Sequence, residues 1–214
     1  MINQWIELTF VRHGETDWNK QHRIQGQIDI PLNATGFAQA AAVAETLKLK
    51  KFNAIVSSDL SRAKQTAEPL SANGPQIFFE PRLRERHLGI LEGLTAEEAS
   101  QQTPKDMSAF KNRSYANTPA GAESMHDLTT RIRTSLTTIH HKFKKGNILV
   151  ITHGGVIDVL WRLANNIKPE SIEKPIIRNG SIHQLIYNPD SKEIFIESFN
   201  KTNHLDRIAA LDDL

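Results

Sequence analysis

Two abrupt strand endings carry the residues best suited to chemistry. The apolar run Leu8-Thr-Phe-Val11 ends in Arg12-His13-Gly14, and Ile148-Leu-Val-Ile151 ends in Thr152-His153-Gly-Gly155. Each run has the β-branched and aromatic character of a buried strand. Two strands that each deliver a histidine at the carboxyl end suggest one site at the rim of a parallel sheet, where open α/β sheets bind ligands. Arg12 beside His13 offers a planar cationic fork that suits phosphate oxygens. A neutral imidazole nitrogen can attack phosphorus and form a phosphohistidine, dividing one difficult displacement into two easier ones. Gly14 is expected to let the backbone approach that phosphate closely.

Arg62, in Asp59-Leu-Ser-Arg62-Ala-Lys-Gln-Thr-Ala67, falls in the first turn of a predicted helix. A cation is mildly unfavourable there, which argues for a recruited anion-binding role. His153 adds a further donor if protonated. Two arginines and a second histidine meet the charge on a transferring phosphoryl group without a metal. The leaving alkoxide needs a proton, and Glu85 or Glu92 can supply it. A carboxyl group close to bound phosphate has its pKa raised by like charge, which suits a general acid. Arg86 and His87 are candidates for a substrate carboxylate. Glu15 is expected to brace its loop, and Trp18 to pack. The nine histidines show no metal-ligand spacing, so no metal and no cofactor are expected.

These residues need a scaffold. Strands are expected at Glu7–Val11, Ala54–Ser57, Gln76–Phe79 and Ile148–Thr152, with a terminal hairpin of Ile182–Tyr187 and Ile194–Phe199 turned through Asn188-Pro-Asp-Ser191. Thr16–Pro31 reads as a long functional loop. Helices are expected from Asn33 to about Leu49, from a cap at Ser58 or Asp59 to about Ala72, along an amphipathic stretch with Met125, Leu128, Ile132, Leu136, Ile139 and Phe143 at helical spacing and Gly146 as its stop, and from about Gly155 to Asn165. The stretch 94–113 reads as weakly helical and broken by Pro104, followed by a turn at Thr118-Pro-Ala-Gly121. The polar tail from Lys201 is expected to lie over the surface. Alternation of strands and helices gives an α/β class, a three-layer sandwich with a mostly parallel central sheet flanked by helices. Residues 1–214 read as one domain, with 94–122 as an insertion that covers the site.

Composition narrows the partners. The chain has 214 residues, and its net charge of +2 is too small, with signs too interleaved, to imply nucleic acid. The basic runs Lys48–Lys51 and His140–Lys145 fall at predicted helix ends, where cations suit the macrodipole. There is no cysteine, which excludes disulfides and thiolate catalysis and is compatible with a reducing compartment. No signal-type segment precedes the first strand and no apolar run approaches the ~20 residues that span a bilayer. The expectation is a soluble cytoplasmic protein, a monomer or homodimer, with no nucleic-acid or membrane partner, acting on a small phosphorylated metabolite.

Five ordered blocks together resemble the histidine phosphatase superfamily, also called the phosphoglycerate mutase-like family, over nearly the whole chain. They are Arg12-His-Gly-Glu-Thr-Asp-Trp-Asn19 with Arg23, Gln25-Gly26 and Pro31-Leu32; Ser57–Ala67; Glu85 with Gly89 and Glu92-Gly93; Gly121-Ala-Glu-Ser124; and Thr152-His-Gly-Gly155. The resemblance implies the phosphoglycerate mutase-like fold, with His13 as phosphorylated nucleophile. It implies a phosphate pocket of Arg12, Arg62 and His153, joined by Asn19, Gln25, Gly26 and Gly154, and Glu85 as proton donor. Glu123 and Ser124 match a block near the pocket, where Ser124 would orient a histidine, and Asn179-Gly-Ser181 resembles a segment of the phosphatase members. Mutases typically carry tyrosine where this chain has Leu88, lysine where it has Ala96, and asparagine-serine where it has Gly155-Val156. The stretch from Glu85 to His153 is also short for a mutase, which must keep water from the phosphoenzyme. A phosphomonoesterase is therefore expected, before a phosphoglycerate mutase and, more distantly, a non-catalytic phosphate-binding module. Met107, Phe110, Arg113 and Tyr115 are the candidates to shape the leaving-group side.

Overall fold

A computed structural model describes residues 5–72, 74–113, 117–206 and 208. The strands are β1 (Ile6–Arg12), β2 (Ala54–Ser57), β3 (Ile77–Phe79), β4 (Asn147–Thr152), β5 (Ile182–Tyr187) and β6 (Ile194–Lys201). Among the described residues they form one six-stranded sheet in the order β3-β2-β4-β1-β5-β6. The first four run parallel, whereas β5 runs against β1 and β6 against β5. The expected α/β sandwich with a mostly parallel sheet is what forms.

The helices are α1 (Asp17–Lys20), α2 (Ala34–Leu47), α3 (Ser61–Ser71), α4 (Ala96–Gln102), α5 (Pro104–Lys111), α6 (Met125–Phe143) and α7 (Gly154–Ala164). Successive strand residues point to opposite faces. Ile6, Leu8 and Phe10 of β1 therefore pack with Leu128, Ile132 and Leu136 of α6 and with Val156 and Leu160 of α7. Val11, Ile55, Leu149 and Ile151 pack on the other face against Val43 and Leu47 of α2 and Ala63 and Ala67 of α3. Both faces of β4 are covered, which is why its sequence reads as an uninterrupted apolar run. None of the described helices is long and apolar enough to cross a membrane.

Several local expectations need correction. The long loop contains a helical turn, α1, closed by a capping box in which Thr16 and Asn19 exchange side-chain and backbone hydrogen bonds. Neither Ser58 nor Asp59 caps α3. Its N-cap is Leu60, and Asp29 from the preceding loop accepts from the Ser61 N–H and hydroxyl, both at 2.7 Å. Asp59 instead holds Arg84 through two bonds of 2.6 and 2.7 Å. The helical stretch breaks before Pro104 as expected: α4 ends at Gln102, and Pro104 starts α5, where its missing N–H costs nothing. The left-handed residue that ends α6 is Lys144, before Gly146 is reached. The chain beyond Lys201 does not merely lie over the surface, because Leu205 is fully buried.

The segment expected to cover the site shares a small core with the loops before it. Leu88, Leu91, Ala99 and Met107 pack together, with Ile24, Leu94 and Phe110 against them. Met107 is consumed in this cluster, so it does not shape the leaving-group side as expected. Tyr115 lies outside the described residues.

Candidate active site

Parallel pairing brings the two histidines together. β1 and β4 are adjacent and Arg12 is in register with Thr152, so the next residues, His13 and His153, leave the sheet side by side. Their ring centroids are 5.0 Å apart. The His13 backbone N–H donates to Thr152 O at 2.9 Å, extending the register past the strand end.

The His13 ring is fixed by its own chain. Its Nδ1 lies 2.7 Å from the carbonyl oxygen of Gly14. A carbonyl only accepts, so Nδ1 carries the proton and the lone pair is at Nε2. The loop beneath is clamped from both sides. Asn179 Nδ2 donates to His13 O at 3.0 Å, and the Gly180 N–H donates to Arg12 O at 3.1 Å. The Gly14 N–H donates to Thr66 Oγ1 at 3.0 Å. A Cβ on Gly14 would press on the Gly36 carbonyl at the start of α2, so glycine permits a backbone crossing there. Glu15 braces that crossing, its Oε1 accepting from Asn33 Nδ2 at 2.8 Å.

Arg62 is wholly buried in the first turn of α3. Its Nε donates to His153 Nδ1 at 3.3 Å, Nη1 to Ile28 O at 2.9 Å and Nη2 to Gly26 O at 2.8 Å. Burial lowers its pKa to about 10, which leaves it cationic at neutral pH. An arginine Nε can only donate, so His153 Nδ1 is bare and its Nε2–H donates to Ser58 Oγ at 2.8 Å. In the resting site His153 is therefore a neutral ring oriented by Ser58. Ser124, expected near a histidine, instead caps α6 by accepting from the Asp127 N–H at 3.0 Å. Arg12 donates through Nη1 to Ile177 O at 2.6 Å, and a Cβ on Gly154 would lie 3.6 Å from Arg12 Nε.

Asn19 is buried, and its side-chain oxygen accepts from Thr16 N at 3.2 Å and Thr16 Oγ1 at 3.0 Å. That leaves its NH₂ as the end suited to an anion. Gly26 meets the site through the carbonyl that holds Arg62. Gln25, on the same turn, is buried with its side-chain oxygen unbonded.

Glu85 and Glu92 separate cleanly. Glu92 Oε1 accepts from Gln27 N at 3.0 Å and Leu88 N at 2.8 Å, so it joins two loops. Glu85 Oε2 accepts from the Gly155 N–H at 3.0 Å and Oε1 from the Arg86 N–H at 2.7 Å. Its carboxylate thus sits at the positive N-terminus of α7, one residue from Gly154 and two from His153. The backbone under Glu85 is gripped by Arg131, whose Nη1 donates to Arg82 O at 2.6 Å and Arg84 O at 2.9 Å. Glu123 holds that guanidinium through two 2.7 Å bonds. A Cβ at Gly155 would overlap the Glu85 carboxylate. Gly155→Ala is accordingly expected to push the carboxylate off its seat and lower kcat by about 10–100-fold with the fold intact. Steady-state kinetics beside a melting curve checks this, and an unchanged kcat would show that the seat is dispensable.

Both imidazoles are neutral. Burial, then Arg62 and Arg12, hold His13 well below the usual histidine value, partly opposed by its bond to Gly14. Burial and Arg62 do the same to His153. Burial also lowers His183, bonded to Ser181 Oγ at 2.8 Å, to about 3. The unfolded chain therefore binds protons that the folded chain refuses, and stability must fall as pH drops below the unfolded value near 6.5. Each such histidine contributes up to about 1.4 kcal/mol per pH unit in that window. Urea titrations at pH 7.5 and pH 5 are expected to show a loss of several kcal/mol. Equal stability at the two values would contradict the neutral assignment.

A cavity of about 390 Å³ opens beside these groups. Arg12, Glu85, Gly154 and Gly155 form its floor, and Arg86, Phe110 and Arg113 line it as the sequence suggested. His87 is half exposed and is not among the residues that line it. The opposite wall, Ile172 to Ile177, carries no motif and was not anticipated.

A model of the histidine phosphatase superfamily (branch 1) matches residues 8–201. Phosphoglycerate mutase-like protein 4 of Arabidopsis thaliana is 37% identical over 211 residues, covering 97% of this chain and 90% of the relative. A metal-independent phosphoserine phosphatase of the same plant is 37% identical over 209 residues, covering 96% and 85%. The crystal structure of a phosphoserine phosphatase mutant from Entamoeba histolytica in complex with phosphoserine superposes with a TM-score of 0.82 at 27% identity, covering 94% of this chain and 99% of that one.

Proposed function

The chain belongs to the histidine phosphatase superfamily, and from that premise we propose that it is a phosphomonoesterase acting on small phosphorylated metabolites through a covalent phosphohistidine at His13. The observation that carries this is the fixed tautomer: Nδ1–H on Gly14 O leaves the Nε2 lone pair beside His153, in a pocket with two guanidinium groups. Arg12 and Arg62 take the phosphoryl oxygens, assisted by His153, the Asn19 amide and the N-terminus of α7 at Gly154. Gln25 and Gly26 shape the turn that holds Arg62.

His13 Nε2 attacks phosphorus as the bond to the leaving oxygen breaks. Glu85 gives its proton to that oxygen and leaves this step as carboxylate. It then takes a proton from water, whose oxygen attacks the phosphohistidine, releases inorganic phosphate and restores the ring. Residues 94–122 act as cover for the leaving group within one domain spanning residues 1–214. Gly155 supports hydrolysis over mutase transfer, since it departs from the asparagine typical of the family's mutases and any Cβ there would displace Glu85 from its present seat.

A screen over phosphoserine, phosphoglycerates and sugar phosphates, with interconversion of 2- and 3-phosphoglycerate assayed alongside, tests the assignment. Release of inorganic phosphate is expected to exceed interconversion at least about tenfold and to be unchanged by EDTA. Faster interconversion would establish the mutase. A loss with EDTA that metal restores would reject a mechanism built on guanidinium and imidazole groups alone.

A further inference from the structure

The two walls of the leaving-group cavity come from distant parts of the chain. One carries Phe110, Lys111 and Arg113 at the end of α5, and the other Ile172, Lys174 and Pro175 in an irregular segment after α7. Both are tied to one atom. Asp158 Oδ2, on α7, accepts from Arg113 Nη1 at 2.8 Å and from Arg162 Nε at 2.9 Å. Arg162, almost fully buried, extends the tie by donating to the carbonyls of Lys168 and Ser171 at 3.1 and 3.0 Å and to that of Glu173. Arg113 itself sits in a left-handed conformation, with φ of 47°, a strained state for a non-glycine residue that its surroundings must hold. Asp158 Oδ1 is buried without a partner. The carboxylate thus spends one oxygen on both walls.

We propose that Asp158 is a positioning residue that sets leaving-group selectivity by holding both walls of the cavity in place. The inference rests on the phosphatase reading above and extends it. Around the cavity Arg86, Lys111, Arg113 and Lys174 are mutually repelling cations. Apart from Glu85, Asp158 is the carboxylate among the lining residues, and of these cations it bonds Arg113. Without it, the walls separate and must be ordered by the substrate at each binding event, which weakens binding for any leaving group that uses them. A leaving group too small to reach them is indifferent.

The test compares 4-nitrophenyl phosphate, whose ring reaches the walls, with acetyl phosphate, whose leaving group does not; both leave without a proton donor. For Asp158→Asn we expect the ratio of kcat/KM for the aryl ester to that for acetyl phosphate to fall at least about tenfold, through KM of the aryl ester. Arg113→Gln cuts the same tie from the cover side and keeps the Asp158–Arg162 pair. It should lower the ratio in the same direction, and it serves if Asp158→Asn does not fold. A ratio held within about twofold in the folded variants, with both substrates losing rate in parallel, would overturn the proposal as a purely structural effect. Failure of the unaltered protein to form a phosphohistidine with either compound would instead remove the phosphatase reading.

Discussion

Replacing His13 by alanine is expected to lower turnover about 10⁴-fold or more and to abolish the phosphoenzyme. The variant loses the Nε2 lone pair and with it the covalent route, so water must displace the leaving group directly. The rest of the pocket does not depend on that ring. Arg62 is held by the carbonyls of Gly26 and Ile28, and Arg12 by that of Ile177. His13→Ala should therefore still bind inorganic phosphate or vanadate while failing to turn over. Pre-steady-state and steady-state assays on one preparation, with vanadate binding by calorimetry, separate the two properties. Hydrolysis at the rate of the unaltered protein would refute the nucleophile.

Glu85→Gln is expected to cost about 10²–10³-fold with alkyl phosphates such as phosphoserine, and much less with nitrophenyl phosphate, whose leaving group needs no proton. The substitution keeps shape but not chemistry. Each carboxylate oxygen now accepts one backbone N–H, from Arg86 and from Gly155, and an amide can serve only one of them. Stability should drop by about 1–2 kcal/mol for the lost acceptor, and a melting curve reads that separately from the rate. The leaving-group dependence is the decisive part. Equal losses on both esters would place the proton donor elsewhere.

How much of this was visible in the chain follows from how local each signal is. His13 and His153 stand at the ends of apolar runs, and strand polarity alone sends both to one rim. That β4, more than 130 residues away in sequence, lies directly beside β1 in register is a long-range pairing that no local pattern encodes. Helix periodicity located α6 by its apolar stripe, because one face of it is core. It missed α1, a single turn held by the Thr16–Asn19 capping box, because four residues carry no periodicity. The side chains that position the reacting groups were the least legible. Ser58 looked like a helix cap and orients His153; Ser124 looked like a histidine partner and caps α6. Both have the right chemistry for either task, and only packing decides. Glu123 with Arg131, and Asp158 with Arg113 and Arg162, act between segments, so their sequence neighbours give no sign. Gly155 stood out only as a departure from the mutase pattern; the structure supplies the reason, which is room for Glu85.

The most direct test of the mechanism is to quench the protein rapidly during turnover of phosphoserine or nitrophenyl phosphate and map the trapped phosphoryl group by mass spectrometry. It should lie on the peptide containing His13, stable in alkali and lost in acid, with nitrogen linkage at Nε2 as the bond from Nδ1–H to Gly14 requires. A phosphoryl group on Ser58, on His153 or on no residue at all, in a preparation that is turning over, would contradict the account.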